Sequence, residues 1–293
     1  MDNRTQVSAQ TAAVETEVEV ELGRLLRLWR AKRSMSQMDL AMAADVSARH
    51  ISFLETGRAH ATVDMVLRLA DVLQVPLRDR NPLLMAAGFA PLHREIGLEA
   101  PELEQIRQSL KAFLENQEPF PALVVDRYFN IVMENQANQR RLTLFFDAKR
   151  LWGDGPRNIV QMFLSEQGLR PLIEDWEKVA QWAMEQVYRQ AHEAIGDPVT
   201  QAMFEEFLSY PGVRALWRVP DPDYKYPPVL HVTVRKFGLR LSSQFMMTTF
   251  GTSQDVYLKE LRIICGYPMN EMARRFALWL AKTRGKREIS TFK

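Results

Sequence analysis

The stretch from Ser36 to Arg58 restricts the fold more than any other part of the chain. It reads as two short helices joined by a three-residue turn. Ser36 caps a helix that starts at Gln37, because its hydroxyl can accept from exposed backbone N–H groups. Leu40 and Ala41 face inward, and Ala41 is small where a second helix has to cross closely. Asp45-Val46-Ser47 forms the turn: Asp tolerates the left-handed backbone that tight turns need, and Ser47 caps the second helix. Val46, Ile51 and Leu54 recur at helical spacing on the inner side. Ser47, Ala48, Arg49, His50, Ser52 and Phe53 are left on or near the outer side. Gly57 ends the helix where a positive φ is wanted.

The flanks complete a small all-α domain. Glu21–Arg33 is amphipathic, with Leu22, Leu25, Leu26, Leu28 and Trp29 on its apolar side. Arg24, Arg27, Arg30, Lys32 and Arg33 follow with no acid among them. Thr62 caps a helix over Val63–Leu73, and another runs about Asn81–Ala87 before Gly88. That makes five helices over residues 20–92.

Gln37, Leu40-Ala41, Val46-Ser47, Ile51, Leu54-Glu55 and Gly57-Arg58 resemble the repressor-type (XRE-like) helix-turn-helix. Two positions depart from it: Asp45 stands where Gly is usual, and Ala61-Thr62 replaces a Pro-Ser pair. The resemblance implies binding to double-stranded DNA, as a homodimer on a pseudo-palindromic operator. Gln37, at a helix start, is then a phosphate ligand, and Arg58 a second. Arg49 is the candidate for a base edge, since its planar fork suits guanine O6 and N7. Ala48 can meet a thymine methyl, and Ser47, Ser52 and His50 can bond base or backbone. As plain structure, these are solvated side chains on a helical domain.

Composition bounds the rest. The chain has 293 residues and a net charge of only +2, so DNA affinity must come from local arrangement. Cys265 is the single cysteine, so no intramolecular disulfide can form, which suits a reducing cytoplasm. No apolar run approaches the length of a membrane span. Residues 1–19 are polar, lack a signal-peptide pattern, and are expected to be flexible.

A connector over residues 93–104 leads into a second domain, 105–293. Its opening helix, Glu102–Glu115, is followed by short β-rich runs at Ala122–Val125 and Phe129–Met133, which read as a hairpin. Helices follow at Asn135–Phe146, Asn158–Glu166 and Pro171–Ala194, with one more starting at Asp197-Pro198. After a proline-rich loop, Val219–Pro228, come strand-like runs at Val229–Phe237, Leu239–Phe250 and about Leu258–Tyr267, then a helix over Asn270–Thr283. Strands at both ends and helices between them make an α+β pattern. The whole is multidomain, α and α+β, with a PAS-like antiparallel sheet carrying inserted helices.

Four stretches of this second domain resemble the ligand-binding domain of MmyB-like transcription regulators. They are Pro121–Asp126 running on to Asn135; Gly168–Ile173 with Trp176-Glu177; Thr249-Phe250-Gly251-Thr252 with Asp255; and Glu260-Leu261-Arg262 with Pro268. Val66–Asp71, Arg80-Asn81 and Ala86–Pro91 extend the likeness into the first domain. A His-Pro pair common in relatives is absent from Val234–Leu239. The resemblance implies a sensor for a small apolar molecule, a fatty acid or related acyl metabolite, bound in the second domain.

The residues permit such a site. Leu241, Phe245 and Met247 alternate on one strand face, Val232 lies on its neighbour, and Ile263 on the last strand. Met162, Phe163, Trp176, Val179 and Ala183 can face them from helices. A carboxylate would need an Arg at the mouth; Arg127, Arg170, Arg235 and Arg262 are candidates. An apolar sheet face opposite an apolar helix face is also what any α+β core presents.

Catalysis is not expected. The five histidines are scattered, and no Cys-x-x-Cys, His-Glu-x-x-His or Walker-type loop is present. No cofactor is assigned from the residues; a bound fatty acid is the candidate that the resemblance implies. Three other readings remain: a haem or flavin sensor, revealed by visible absorption; an enzymatic module, revealed by product; and a dimerisation module, revealed by a filled core.

Overall fold

The structure is a computed structural model that describes residues 20–93, 95–193, 197–218, 229–251, 253 and 255–283. Residues 1–19, the loop 219–228 and Thr252 lie outside the described residues. The chain divides into two compact units, with the main break between Glu95 and Ile96.

In the first unit, α1 (residues 20–32) and α2 (Gln37–Ala43), α3 (Ala48–Glu55), α4 (Val63–Val72) and α5 (Leu77–Ala86) surround one core. Trp29, Leu40, Ile51, Leu54, Leu69 and Leu84 are all but inaccessible there. The caps are side chains: Ser36 for α2, Ser47 for α3 and Thr62 for α4. Asp45 takes φ +53° in the turn, the left-handed backbone that its short polar side chain tolerates. The last helix begins at Leu77 rather than Asn81, with Pro82 inside it. The Asn81-Pro82 pair mimics a helix start, because proline favours the first turn; here Pro82 merely forgoes one bond.

The second unit is built on a five-stranded antiparallel sheet of β1 (Ala122–Val125), β2 (Ile131–Glu134), β3 (Val229–Lys236), β4 (Leu239–Thr249) and β5 (Arg262–Pro268). Its order is β2-β1-β5-β4-β3. The terminal strands therefore meet in the middle, where Leu123 opposes Ile264 and Ile264 opposes Met247. β3 and β4 join through Phe237 and Gly238, both at positive φ, the geometry of a two-residue hairpin turn.

Helices cover both faces of this sheet. On one side α6 (Glu104–Asn116) sets Leu110 and Leu114 against Ala122, Val124 and Cys265. The other side carries α7 (Gln136–Phe145), α9 (Ile159–Leu164), α10 (Trp176–Glu193) and α14 (Glu271–Lys282). Short helices α8 (Ala148–Trp152) and α12 (Val213–Leu216) have no counterpart in the sequence reading, and α11 (Pro198–Leu208) starts at its Asp197 cap. The run at 258–261 belongs to a helix and its exit, α13 (Val256–Glu260), so the last strand starts only at Arg262. α10 begins at Trp176 because Arg170–Leu172 forms a separate 3-10 turn and Asp175 has φ +47°.

Candidate functional sites: a recognition helix and an apolar cavity

The first site is the outer face of α3. Ser47 Oγ accepts from the His50 backbone N–H at 3.1 Å, and so anchors the helix start. At the far end Gly57, at φ +68°, lets the Arg58 N–H reach Phe53 O at 2.8 Å and the Gly57 N–H reach Leu54 O at 3.3 Å. This is a Schellman closure, and it sets where Arg58 leaves the helix. Arg49 is exposed and lies over the Phe53 ring at 5.1 Å. Among the described residues neither Arg49 nor Arg58 has a carboxylate partner, so both guanidiniums remain available to an anion. Ser52 and His50 are half-buried, and Ala48 leans on the helical core.

Gln37 is held differently. Its Nε2 donates to Glu55 Oε2 at 2.9 Å, and Glu55 is 2% exposed and gripped by Arg30. The Gln37 side chain is therefore oriented by a buried carboxylate at the end of α3.

The second site lies in the C-terminal unit, between the sheet and its covering helices. Two adjoining apolar chambers lie there, each a cavity of only about 40 Å³, so that a ligand of more than a few atoms would have to part the lining side chains. The first runs between α7, α14 and the strands β3–β5, past Val232, Leu241, Phe276 and Leu280. The second runs under α9 and α10, past Leu142, Ile159, Met162, Trp182, Met247 and Ile264. Phe163, Phe245 and Arg141 border both. Gly266 makes this possible, since a Cβ there would come within 2.7 Å of the Phe245 ring and 2.8 Å of Pro121.

Arg141 is the one charged residue among the described linings of both chambers. It packs over Phe245 at 5.2 Å and Phe145 at 5.9 Å. Its Nε is shut off from solvent without a hydrogen-bond partner among the described residues. Burial pushes its pKa down to about 10, so it is still a cation at neutral pH.

A family model described as "MmyB-like transcription regulator ligand binding domain" matches residues 106–279. The chain belongs to the MmyB-like transcription regulators. A second family model, "Helix-turn-helix domain", matches residues 21–83 of this regulator. No curated protein matches it. A solved structure described as "Structure of an RNA-binding Light-Oxygen-Voltage Receptor" aligns with 95% of the chain at 14% identity and a TM-score of 0.24. The chain spans 66% of that protein's length, and so poor a superposition carries no argument. The family makes this a helix-turn-helix regulator with a ligand-binding domain, and no helix among the described residues is long and apolar enough to cross a membrane.

Of the regulator's sequence-predicted ligand residues, the structure gathers Met162, Phe163, Val232, Leu241, Phe245 and Met247 on the cavity wall. Val179 and Ala183 are buried in the adjacent core without lining it. Trp176 donates its indole N–H to Phe163 O at 2.8 Å and carries the Arg170 guanidinium on its ring at 3.7 Å. Ile263 needs correction. It packs on the α6 side of the sheet, and its neighbour Ile264 faces the cavity. A one-residue slip inverts every side chain of a strand, and with both faces covered β5 is apolar on both.

The four arginines proposed as carboxylate anchors are engaged elsewhere. Arg127 is 5% exposed and pairs with Asp197 at 2.6 Å. Arg235 pairs with Glu174, which also holds Arg240 at 2.9 Å. Arg170 donates to Pro211 O at 2.6 Å. Arg262 donates to Gln190 Oε1 and lies over Phe129 at 4.8 Å. Arg141 was missed by the sequence reading. The signal was its spacing: it falls four residues after Ala137 and four before Phe145, in the middle of an apolar helix face.

Proposed function

We propose that this regulator binds a pseudo-palindromic operator as a homodimer, and that a fatty acid or related acyl metabolite in the C-terminal cavity shifts its affinity for that operator. The observation that carries the reading is the cavity itself. Phe163 and Phe245 stand between two narrow apolar chambers on one sheet face, which an apolar ligand would fill by displacing these two rings. Ligand pockets are mostly apolar with a few placed polar groups, and this one fits that description.

In this reading Arg49 reads a base edge from α3, Arg58 and Gln37 hold phosphates, and Ser47, Ala48, His50 and Ser52 complete the contact surface. Phosphate contacts position the protein, and base contacts specify the sequence. The ligand acts by preferring one arrangement of the two DNA-binding heads, since a ligand with equal affinity for both states shifts nothing.

Mass spectrometry of an organic extract of the purified, folded protein tests the ligand assignment. A long-chain acyl compound at about one per protomer supports it. A visible chromophore in the same sample, or binding of no acyl compound from a supplied mixture, contradicts it.

A further inference from the structure

We propose that a polar cleft at the junction of α7 and α8 is a second ligand site, separate from the apolar chambers, and that it takes a small water-soluble zwitterion of amino-acid or short-peptide size. Its ligand is chemically unlike the apolar molecule of the chambers, and the proposal does not depend on that reading.

The cleft has a volume of about 620 Å³, against about 40 Å³ for either apolar chamber. That lies within the usual range of small-molecule sites. It is bounded by the end of α7, the start of α8, the turn after α9, the 3-10 turn, the residues after α11 and the last residue of β3, Lys236. Backbone geometry holds these walls. The Leu169 N–H donates to Met162 O at 2.8 Å, and a Cβ on Gly168 would come within 2.4 Å of that same oxygen, so the turn after α9 packs as closely as only glycine allows. Arg170, seated on the Trp176 ring, donates to Pro211 O at 2.6 Å and ties the residues after α11 to the 3-10 turn. Asp147 caps α8 by accepting through Oδ1 from the backbone N–H groups of Lys149 and Arg150.

Four charged side chains line the cleft: Lys236 and Arg150, Asp147 and Glu166. Among the described residues none of the four makes an ion pair, with each other or elsewhere. Lys236 is half-buried and gives one N–H to Phe145 O at the end of α7. An ammonium has further donors, and these find no acceptor among the described residues. Burial lowers its pKa from the ordinary lysine value, as expected of a charge short of compensation. The Oδ2 of Asp147 is likewise left over by the cap, and Glu166 and Arg150 are exposed at the rim.

Opposite charges that line one cleft without meeting are complementary to a molecule that brings both signs. A plain anion would meet Lys236 but also face Asp147 and Glu166; a plain cation would face Lys236 and Arg150. A zwitterion satisfies both, with its carboxylate on the half-buried Lys236 ammonium and its own ammonium towards the rim acids. Charge-assisted hydrogen bonds of this kind are the strong ones. Phe146, Leu172 and Pro211 offer apolar wall to a side chain of the ligand, and Gln167 a hydrogen bond to a peptide amide.

Isothermal titration calorimetry of the unaltered full chain tests this with the dipeptide Phe-Ala in three forms: free, C-terminally amidated and N-acetylated. The free dipeptide is expected to bind. Amidation should weaken it about 10- to 100-fold, the range of hydrogen bonds to a charged group. Acetylation should weaken it about two- to fivefold, the smaller effect of an exposed charge pair. Lys236→Met should abolish the penalty for amidation, and Glu166→Gln should reduce the penalty for acetylation. Because Lys236 also holds the end of α7, the three forms on the unaltered chain and the exposed Glu166→Gln variant decide the matter if Lys236→Met does not fold. Failure of the free dipeptide to bind overturns the proposal. So does an acetylated form that binds as tightly as the free one, which would make the cleft a plain anion site. A repeat in the presence of tetradecanoic acid separates this site from the chambers. The dipeptide should still bind at saturating acid; an apparent Kd that rises in proportion to the acid, without limit, would make the cleft the mouth of the chambers and overturn the proposal while leaving the apolar ligand standing.

Discussion

The Arg30 guanidinium grips both carboxylate oxygens of Glu55, at 2.7 and 2.9 Å, and ties the first helix of the DNA-binding head to the recognition helix. Glu55 is buried at the end of α3, and the Gln37 amide completes its shell. Breaking one side of a buried pair strands the other charge and costs about 3–5 kcal/mol. Glu55→Ala is expected to lose most amide-exchange protection over residues 20–86 and to abolish operator binding, with protection of the C-terminal sheet retained. Hydrogen-exchange mass spectrometry of the full chain measures both. Full protection of residues 20–86 in the variant would show that the pair is dispensable.

Gly23 sets how closely α1 approaches that same corner. A Cβ there would lie 2.5 Å from the Glu55 carbonyl oxygen and 2.9 Å from that of Leu54, both backbone atoms that cannot swing aside. Gly23→Ala adds helix propensity, roughly 1 kcal/mol in its favour, against an overpacking cost of about 1–3 kcal/mol. The expected net result is a lower melting temperature for the N-terminal unit by calorimetry. An increase would show that the helices can part at little cost.

The capping box at the start of α2 carries a pH dependence. The Ser36 hydroxyl, with help from the Ser36 backbone N–H, holds the Asp39 carboxyl below its ordinary value of 3.8. A depressed carboxyl contributes stability that is present above the ordinary value and is lost as pH falls through the lower, folded-state value. The melting temperature of the wild type should therefore fall towards that of Asp39→Asn as pH drops below about 3.8. A gap between the two that stays constant from pH 6 to pH 3 would contradict the assignment.

Arg49 and Arg58 should separate by the kind of loss they cause. Arg49→Ala is expected to cost about 1–3 kcal/mol of discrimination at one base pair. Arg58→Ala should weaken all sequences alike and reduce the slope of log affinity against log salt by about 1. Binding to a panel of single-base operator variants at several salt concentrations reads both. A uniform loss for Arg49→Ala would make it a phosphate ligand.

The legibility of this chain followed its local chemistry. Ser36, Ser47, Thr62, Asn135, Asn158, Asp197 and Asn270 all cap helices through their side chains, and each stands at or just before a helix that periodicity marks out. Reading failed where the deciding force was tertiary. Ile263 and Ile264 are chemically alike, and only the helix behind the sheet decides which of them faces the cavity. Leu258 and Leu261 look like strand residues, but they are buried from a helix and its exit beside β5. Pro82 resembles a start signal inside a helix that had already begun at Leu77. Arg141 was hidden in a different way. A lone arginine on an apolar stripe is usually paired once the chain folds, and only the structure shows that Arg127, Arg170, Arg235 and Arg262 have partners while Arg141 faces the cavity.

The most direct test of the account joins its two halves. An operator is first selected from random DNA with the full chain. Its affinity is then measured by fluorescence anisotropy at fixed salt, for delipidated protein and for protein saturated with tetradecanoic acid. A ligand-controlled regulator should show a shift of about 5- to 150-fold, the usual span of allosteric coupling. Unchanged operator affinity while the acid occupies the cavity would contradict the claim that this domain controls DNA binding through its ligand.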